Sequence, residues 1–171
     1  MSDADIIRRV ADRQAITDLI YRYCRSMDRM DAELGYSIWH EDAQVDFEGF
    51  YQGSGRDYID TACKMHRRFL AHSHQVTNII IELDGDRAVS ESYVTATLRL
   101  MQREQLRQLT VWGRYIDTWS RRKGRWGIDT RYQINDLNEL RDVVPASSQA
   151  RTARDRNDAS YAALSGNYLV P

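Results

Sequence analysis

Arg87-Ala-Val-Ser-Glu-Ser-Tyr-Val-Thr-Ala-Thr-Leu-Arg-Leu-Met-Gln102 decides the fold. Its texture repeats every two residues, the side-chain repeat of a β-strand, and it runs far beyond an ordinary strand. A second such stretch occupies residues 107 to 121, ending Gly113-Arg-Tyr-Ile-Asp-Thr-Trp119-Ser-Arg121. Upstream, residues 74 to 83 read as a strand joined to the first by the turn Asp84-Gly85-Asp86, where glycine supplies positive φ. Downstream, Lys123-Gly124 turns the chain into a last strand from Arg125 to Asn138. The second half is thus expected to be a four-strand antiparallel meander. With only 2 Pro and 9 Gly in 171 residues, little interrupts it.

The first half carries a different period. From Asp5 to Met27, Ile6, Val10, Ile16, Leu19, Ile20, Tyr23, Cys24 and Met27 recur mainly at three- and four-residue steps, opposite Arg8, Arg9, Asp12, Asp18 and Arg22. That spacing predicts an amphipathic helix. A shorter helix is expected over Ala32 to Trp39 and a strand over Ala43 to Phe47. Gly49, Gly53 and Gly55 mark a turn, and a third helix is expected over Asp57 to Ala71. Helices followed by a meander imply an α+β architecture, a strongly curved sheet folded over helices on one face. Residues 1–140 should form the domain. Residues 141–171 read as an arm with a short helix near Ala159 to Leu164, packing on the domain or on a neighbouring subunit.

Composition narrows the partners. Lys plus Arg number 24 and Asp plus Glu 25, a formal charge of −1, which argues against nucleic acid as a ligand. The apolar runs are too short to span a membrane. Met-Ser-Asp-Ala-Asp does not look like a secretion signal, and Cys24 and Cys63 are too few for a disulfide scaffold, so the expected setting is cytoplasmic with free thiols.

Several strings carry a resemblance: Arg13-Gln-Ala-Ile-Thr-Asp-Leu-Ile-Tyr-Arg-Tyr-Cys-Arg-Ser-Met-Asp28, Trp39-His-Glu-Asp-Ala43, His74-Gln-Val-Thr-Asn78, Gly113 to Trp119, and Gly124-Arg-Trp126. Over roughly residues 5 to 140 the chain resembles the SnoaL-like branch of the NTF2-like superfamily. That branch includes scytalone dehydratase, bile acid 7α-dehydratase and hexachlorocyclohexane dehydrochlorinase. The resemblance implies a cone-shaped sheet, mixed or antiparallel, folded over three N-terminal helices around an apolar pocket. It implies catalytic roles for Asp28 and His74, for Tyr23 as a donor that polarises a leaving hydroxyl or an adjacent carbonyl, and for Arg131 in stabilising negative charge developing on substrate. It also implies pocket walls from Val45, Met65, Phe69, Ala96, Leu98, Val111 and Tyr115. The match departs where the tyrosines of scytalone dehydratase give way to Met27 and Phe47, and where the dehydrochlorinase lysine gives way to Tyr23.

Taken alone, these residues have plainer readings. An Asp at a helix end and a His opening a strand are ordinarily surface residues. As a pair they do chemistry: a carboxylate on one ring nitrogen fixes the tautomer and basicity of the imidazole. Tyr23 lies about 140° around an ideal helix from Asp28 and could be plain core. On the last strand Trp126, Ile128, Tyr132 and Ile134 share one parity and Arg125, Asp129, Arg131 and Gln133 the other. Parity therefore puts Arg131 in solvent while the resemblance puts it inside. His66, His72 and His74 invite a metal, but no third ligand of suitable spacing accompanies the strand pair, so no metal and no cofactor are expected. Trp112, Trp119 and Trp126 read as sheet packing or subunit interface.

The expected activity is that of a cofactor-independent lyase. His74, held by Asp28, removes a proton and water departs from a hydrophobic aromatic or polycyclic hydroxylated substrate. Loss of halide or of an aldehyde uses the same base. Two alternatives stand beside it, a ketosteroid-isomerase-like isomerase and a non-catalytic small-subunit or ligand-binding module. The resemblance further implies a homo-oligomer, with a trimer favoured and a dimer as the alternative, whose other partner is a small hydrophobic substrate.

Overall fold

The computed structural model describes residues 2–144 and 152–167. Helix α1 spans Asp3–Arg29 and α2 Ala32–Tyr36, followed by strands β1 (Trp39–Phe47) and β2 (Tyr51–Ser54) and helix α3 (Gly55–His66). The meander then runs β3 (Ala71–Asp84), β4 (Arg87–Gln102), β5 (Gln105–Arg122) and β6 (Arg125–Asp142). A short helix α4 (Ala159–Ala162) and a π-helical turn (Ala163–Asn167) follow. The six strands form one sheet in the order β2-β1-β6-β5-β4-β3. It is mixed, because β1 pairs with β6 in parallel while all other neighbours are antiparallel. The sheet is curved and unclosed, with α1 against β3 and α3 against β1 on its inner side.

Helix α1 begins at a capping box in which Ser2 and Asp5 bond each other's backbone amides. It ends at Met30, whose left-handed backbone (φ 48°) stops the helix. Its buried face, Asp12, Ile16, Ile20, Tyr23 and Met27, climbs at steps of four and three. Ile6 and Val10, expected on that face, are instead exposed, because the first turns lie beyond the packed part of the helix.

Bulges give the sheet its curvature and change which side chains face inward. In β3, two residues oppose one on β4 between Thr77 and Ile80, with Asn78 left-handed at φ 49°. His72, His74 and Val76 are therefore the more enclosed positions before the bulge, and Ile79, Ile81 and Leu83 after it. In β6, Thr118 pairs with Thr130 but Trp119 with Ile128, leaving Asp129 as the extra residue. Trp126 and Ile128 are buried before it and Arg131 after it. That single residue resolves the parity conflict: Arg131 faces inward.

Other bounds differ from expectation for local reasons. The second helix stops at Tyr36, and β1 already starts at Trp39, with Glu41 and Asp42 on its exposed side. The glycine-marked turn includes the short strand β2, paired with β1 from Gln44–Ser54 to Phe47–Tyr51. Helix α3 ends at His66, five residues short of Ala71. Beyond it the amides of Arg68 and Phe69 reach only three residues back, and the Leu70 amide bonds Arg99 O at 2.7 Å, drawing the chain into the sheet.

Described residues between 152 and 161 contact the C-terminal end of α1. Arg29 Nη1 donates to Ala153 O at 2.6 Å and pairs with Asp158 at 3.2 Å, and the Tyr161 hydroxyl donates to Asp31 at 2.7 Å. Arg154 Nη1 donates to the carbonyls of His66 (3.1 Å) and Phe69 (2.8 Å), satisfying the end of α3. Arg156 pairs with Asp31 at 3.5 Å, while Arg151 lies outside the described residues. Trp119 and Trp126 are buried, donating to Ser90 (2.9 Å) and Asp12 (2.9 Å), as sheet packing requires. No helix among the described residues is long and apolar enough to cross a membrane.

Candidate functional site

Because α1 terminates just past it, Asp28 lies in the last helical turn and its carboxylate reaches β3. Oδ1 accepts from His74 Nδ1 at 2.7 Å, and both oxygens accept the His74 backbone amide at 3.0 Å. Three hydrogen bonds fix one carboxylate on one residue. Since a carboxylate only accepts, the imidazole carries its proton on Nδ1 and keeps a lone pair on Nε2. The pair is nearly enclosed, with side-chain exposures of 8% for His74 and 15% for Asp28. Two residues earlier on the strand, His72 bonds Met27 O through Nε2 at 3.0 Å, tying the same helix end to the same strand.

His74 stands in a wall between two spaces. Outside is a depression lined by Cys24, Arg25, Asp28, Arg29 and Val76. Inside is a cavity of about 270 Å³ under the curve of the sheet. Met65, Ala96, Leu98, Val111 and Tyr115 line that cavity together with Tyr23 and His74. Val45 and Phe69, expected on the wall, do not line it. Val45 is packed in the core, and Phe69 follows the early end of α3, its ring centroid 6.0 Å from that of His66. A larger groove of about 880 Å³ lies at the far end of the sheet. It holds no histidine, and arginines there pair with its acids, Arg121 with Asp86 at 2.6 Å and Arg122 with Asp42 at 2.7 Å.

Arg131 is fully buried but does not line the cavity. It makes a bidentate pair with Asp117, Nε–Oδ1 2.7 Å and Nη2–Oδ2 2.8 Å, and its guanidinium lies 4.1 Å from the ring centre of Tyr23 and 4.0 Å from that of Tyr115. Burial alone would weaken its charge, but the Asp117 carboxylate outweighs it and raises the pKa. Arg131 reaches the cavity through the aromatic rings it touches. Tyr23 shows its ring to the cavity, so the angular separation from Asp28 is no obstacle: the two residues meet the site from different sides.

Eight further residues line the cavity that were not expected on its wall: Met27, Phe47, Phe50, Tyr58, His66, Val94, Gln133 and Asn135. Tyr58 and His66 lie on α3 with Ala62 between them, a run of four-residue steps that could have identified one buried face. Burial raises the hydroxyls of Tyr58 and Tyr115 well above the usual tyrosine value and pushes Tyr23 up too, so all three remain proton-bearing donors. Burial, with His74 and His72 nearby, lowers His66 to about 3. Cys24 is pushed up to about 12 by burial and stays an inert thiol. Among the described residues, no three or more His, Cys, Asp or Glu side chains are arranged to hold a metal ion.

The family model for the SnoaL-like domain matches residues 8–132. This chain belongs to that family. Hexachlorocyclohexane dehydrochlorinase LinA-type3 from Novosphingobium barchaimii is 22% identical with a TM-score of 0.72, the match covering 87% of this chain and 99% of that one. The Kfla4162 protein of Kribbella flavida is 21% identical with a TM-score of 0.69, over 77% and 95% of the two chains. A function-unknown protein of Mycobacterium tuberculosis, Rv3472, solved as an aspartate-to-asparagine variant, is 27% identical with a TM-score of 0.66, over 99% and 92%. No curated protein matches the sequence significantly. The SnoaL-like chain thus shares its NTF2-like fold with a dehydrochlorinase and with proteins whose names give no activity.

Proposed function

We propose that this SnoaL-like protein is a lyase that eliminates water or another small leaving group from a hydrophobic ring substrate, with His74 as general base. The observation that carries the reading is the Asp28–His74 pair in the wall of an apolar cavity. Nε2 takes a proton from a carbon next to a carbonyl or an activated ring. The electrons of that C–H bond become a C=C bond, and the neighbouring C–O bond breaks with its pair. The departing hydroxyl collects a proton from a buried tyrosine or the new imidazolium and leaves as water. Asp28 holds the imidazole in register and stabilises its charged form, a device that contributes about 10²-fold to 10⁴-fold. Tyr23, which keeps its proton, donates to the leaving hydroxyl or to the carbonyl. Both base and anchor are side chains, so this route asks for no cofactor.

The test is turnover of a panel of hydroxylated and halogenated ring compounds, read by product mass. The wild type should yield products lighter by water or by hydrogen halide, and His74→Gln and Asp28→Asn should each lose at least about 10²-fold. Full activity in either variant refutes the assignment. A product of unchanged mass points to an isomerase using the same base.

A further inference from the structure

Four buried side-chain atoms among the described residues have no hydrogen-bond partner: Trp39 Nε1, His66 Nδ1, Ser92 Oγ and Arg131 Nη1. Of these four residues, His66 alone lines the cavity. Its ring centroid lies 5.4 Å from that of His74 at a tilt of 32°, so the two imidazoles share one stretch of wall. The other side-chain amides there are turned to each other, Gln133 Nε2 donating to Asn135 Oδ1 at 2.6 Å. Buried polar atoms ordinarily find partners, and an orphan beside a candidate base asks what satisfies it.

We propose that His66 is a specificity-determining residue that hydrogen-bonds an oxygen on the substrate and so selects hydroxylated rings over halogenated ones. This deepens the reading given above and rests on the same cavity being the substrate site. A hydroxyl both donates and accepts, so it suits either tautomer of His66, whereas an aryl or alkyl chlorine suits neither well. An oxygen close to the carbon that His74 deprotonates falls beside His66. The ring is also held for the task. It sits on the last turn of α3, and Arg154 grips its backbone carbonyl at 3.1 Å. With a pKa of about 3 it remains a neutral imidazole, which neither competes with His74 for the proton nor repels the imidazolium that His74 becomes.

Calorimetry with an isosteric pair of probes, 1-naphthol and 1-chloronaphthalene, tests this without turnover. Wild type should bind the naphthol tighter by about 5-fold to 100-fold, the span expected when a buried polar group is or is not satisfied. His66→Phe should bring the two affinities within about 3-fold, His66→Asn should keep most of the preference, and His74→Gln should retain it. In ¹⁵N-histidine-labelled wild type, the His66 Nδ1 resonance should shift with naphthol and not with chloronaphthalene, a reading that needs no variant. A wild type that binds both probes equally or neither, a His66→Phe protein with the preference intact, or an unmoved resonance overturns the proposal. A preference lost in His66→Phe while His74→Gln keeps full turnover leaves this inference standing and removes the general-base assignment instead.

Discussion

Removing the positive half of the ion pair beneath the cavity should cost far more than removing both halves. Arg131 and Asp117 have no side-chain exposure and meet through two hydrogen bonds of 2.7 and 2.8 Å. Arg131→Met leaves a carboxylate without its cation in a place water does not reach, for which about 3 to 5 kcal/mol is expected. Asp117→Leu strands the guanidinium between the rings of Tyr23 and Tyr115 and should cost about as much. The double variant Arg131→Met with Asp117→Leu removes both charges and both desolvation penalties, and its Nη1, unpartnered in the native protein, no longer needs a bond. It should be more stable than either single variant, with a coupling of several kcal/mol. In a chain of this size each kcal/mol moves Tm by about 2 to 4 °C, so each single variant falls by roughly 6 to 20 °C. Urea unfolding gives the free energies, provided the slope is unchanged across the four proteins. Single-variant costs that add to the double-variant cost within about 0.5 kcal/mol would refute the coupling and with it the account of this buried pair.

Acid should weaken the fold through His66. Its folded pKa is near 3, while an unfolded imidazole titrates near 6.5, so between these values the unfolded chain binds a proton that the folded one does not. Stability is full above about pH 6.5 and falls on acidification by up to about 1.4 kcal/mol per pH unit; Tm from pH 7 to 4.5 should drop less steeply in His66→Phe, and equal slopes would contradict the assignment. Gly113→Ala places a Cβ 2.3 Å from the backbone oxygen of Ile134, which no side-chain motion relieves. A loss of at least about 1 to 3 kcal/mol should appear in urea unfolding, and an unchanged midpoint would disprove the close approach. Arg154→Ala frees the carbonyls of His66 and Phe69 and should speed proteolytic cleavage of the arm; an unaltered cleavage rate would show that this contact does not hold it.

Much of the framework was legible because it rests on period alone. The buried stripe from Ile16 to Met27 and the meander through residues 87 to 121 need only the geometry of a helix and a strand. Asp28 and His74 were found through resemblance, since neither residue's local setting distinguishes it from a surface group. What period could not show was a change of parity inside a strand. Gly127, two residues before the bulge at Asp129, is the one local signal of it; alternation carried straight through the strand puts Arg131 in solvent and gives no reason to pair it with Asp117. The end of α3 was overrun because Arg67, Arg68 and Phe69 continue a helical pattern that a backbone bond from Leu70 to Arg99 overrides. His66 looks like a metal ligand beside His72 and His74, while its four-residue spacing from Ala62 and Tyr58 is what places it on the inner face.

The bulges at Asn78 and Asp129 partition the sheet into two territories. Toward one end, His74, Val94, Ala96, Val111 and Gln133 face the cavity; toward the other, Ile81, Ala88, Trp119 and Ile128 form permanent core. Strands β3 and β6 are thereby two-part sentences whose halves can be rewritten separately. Lineages sharing this scaffold can exchange the residues that meet a ligand while the scaffold half stays constant, and an engineer seeking a new substrate has a natural line along which to cut.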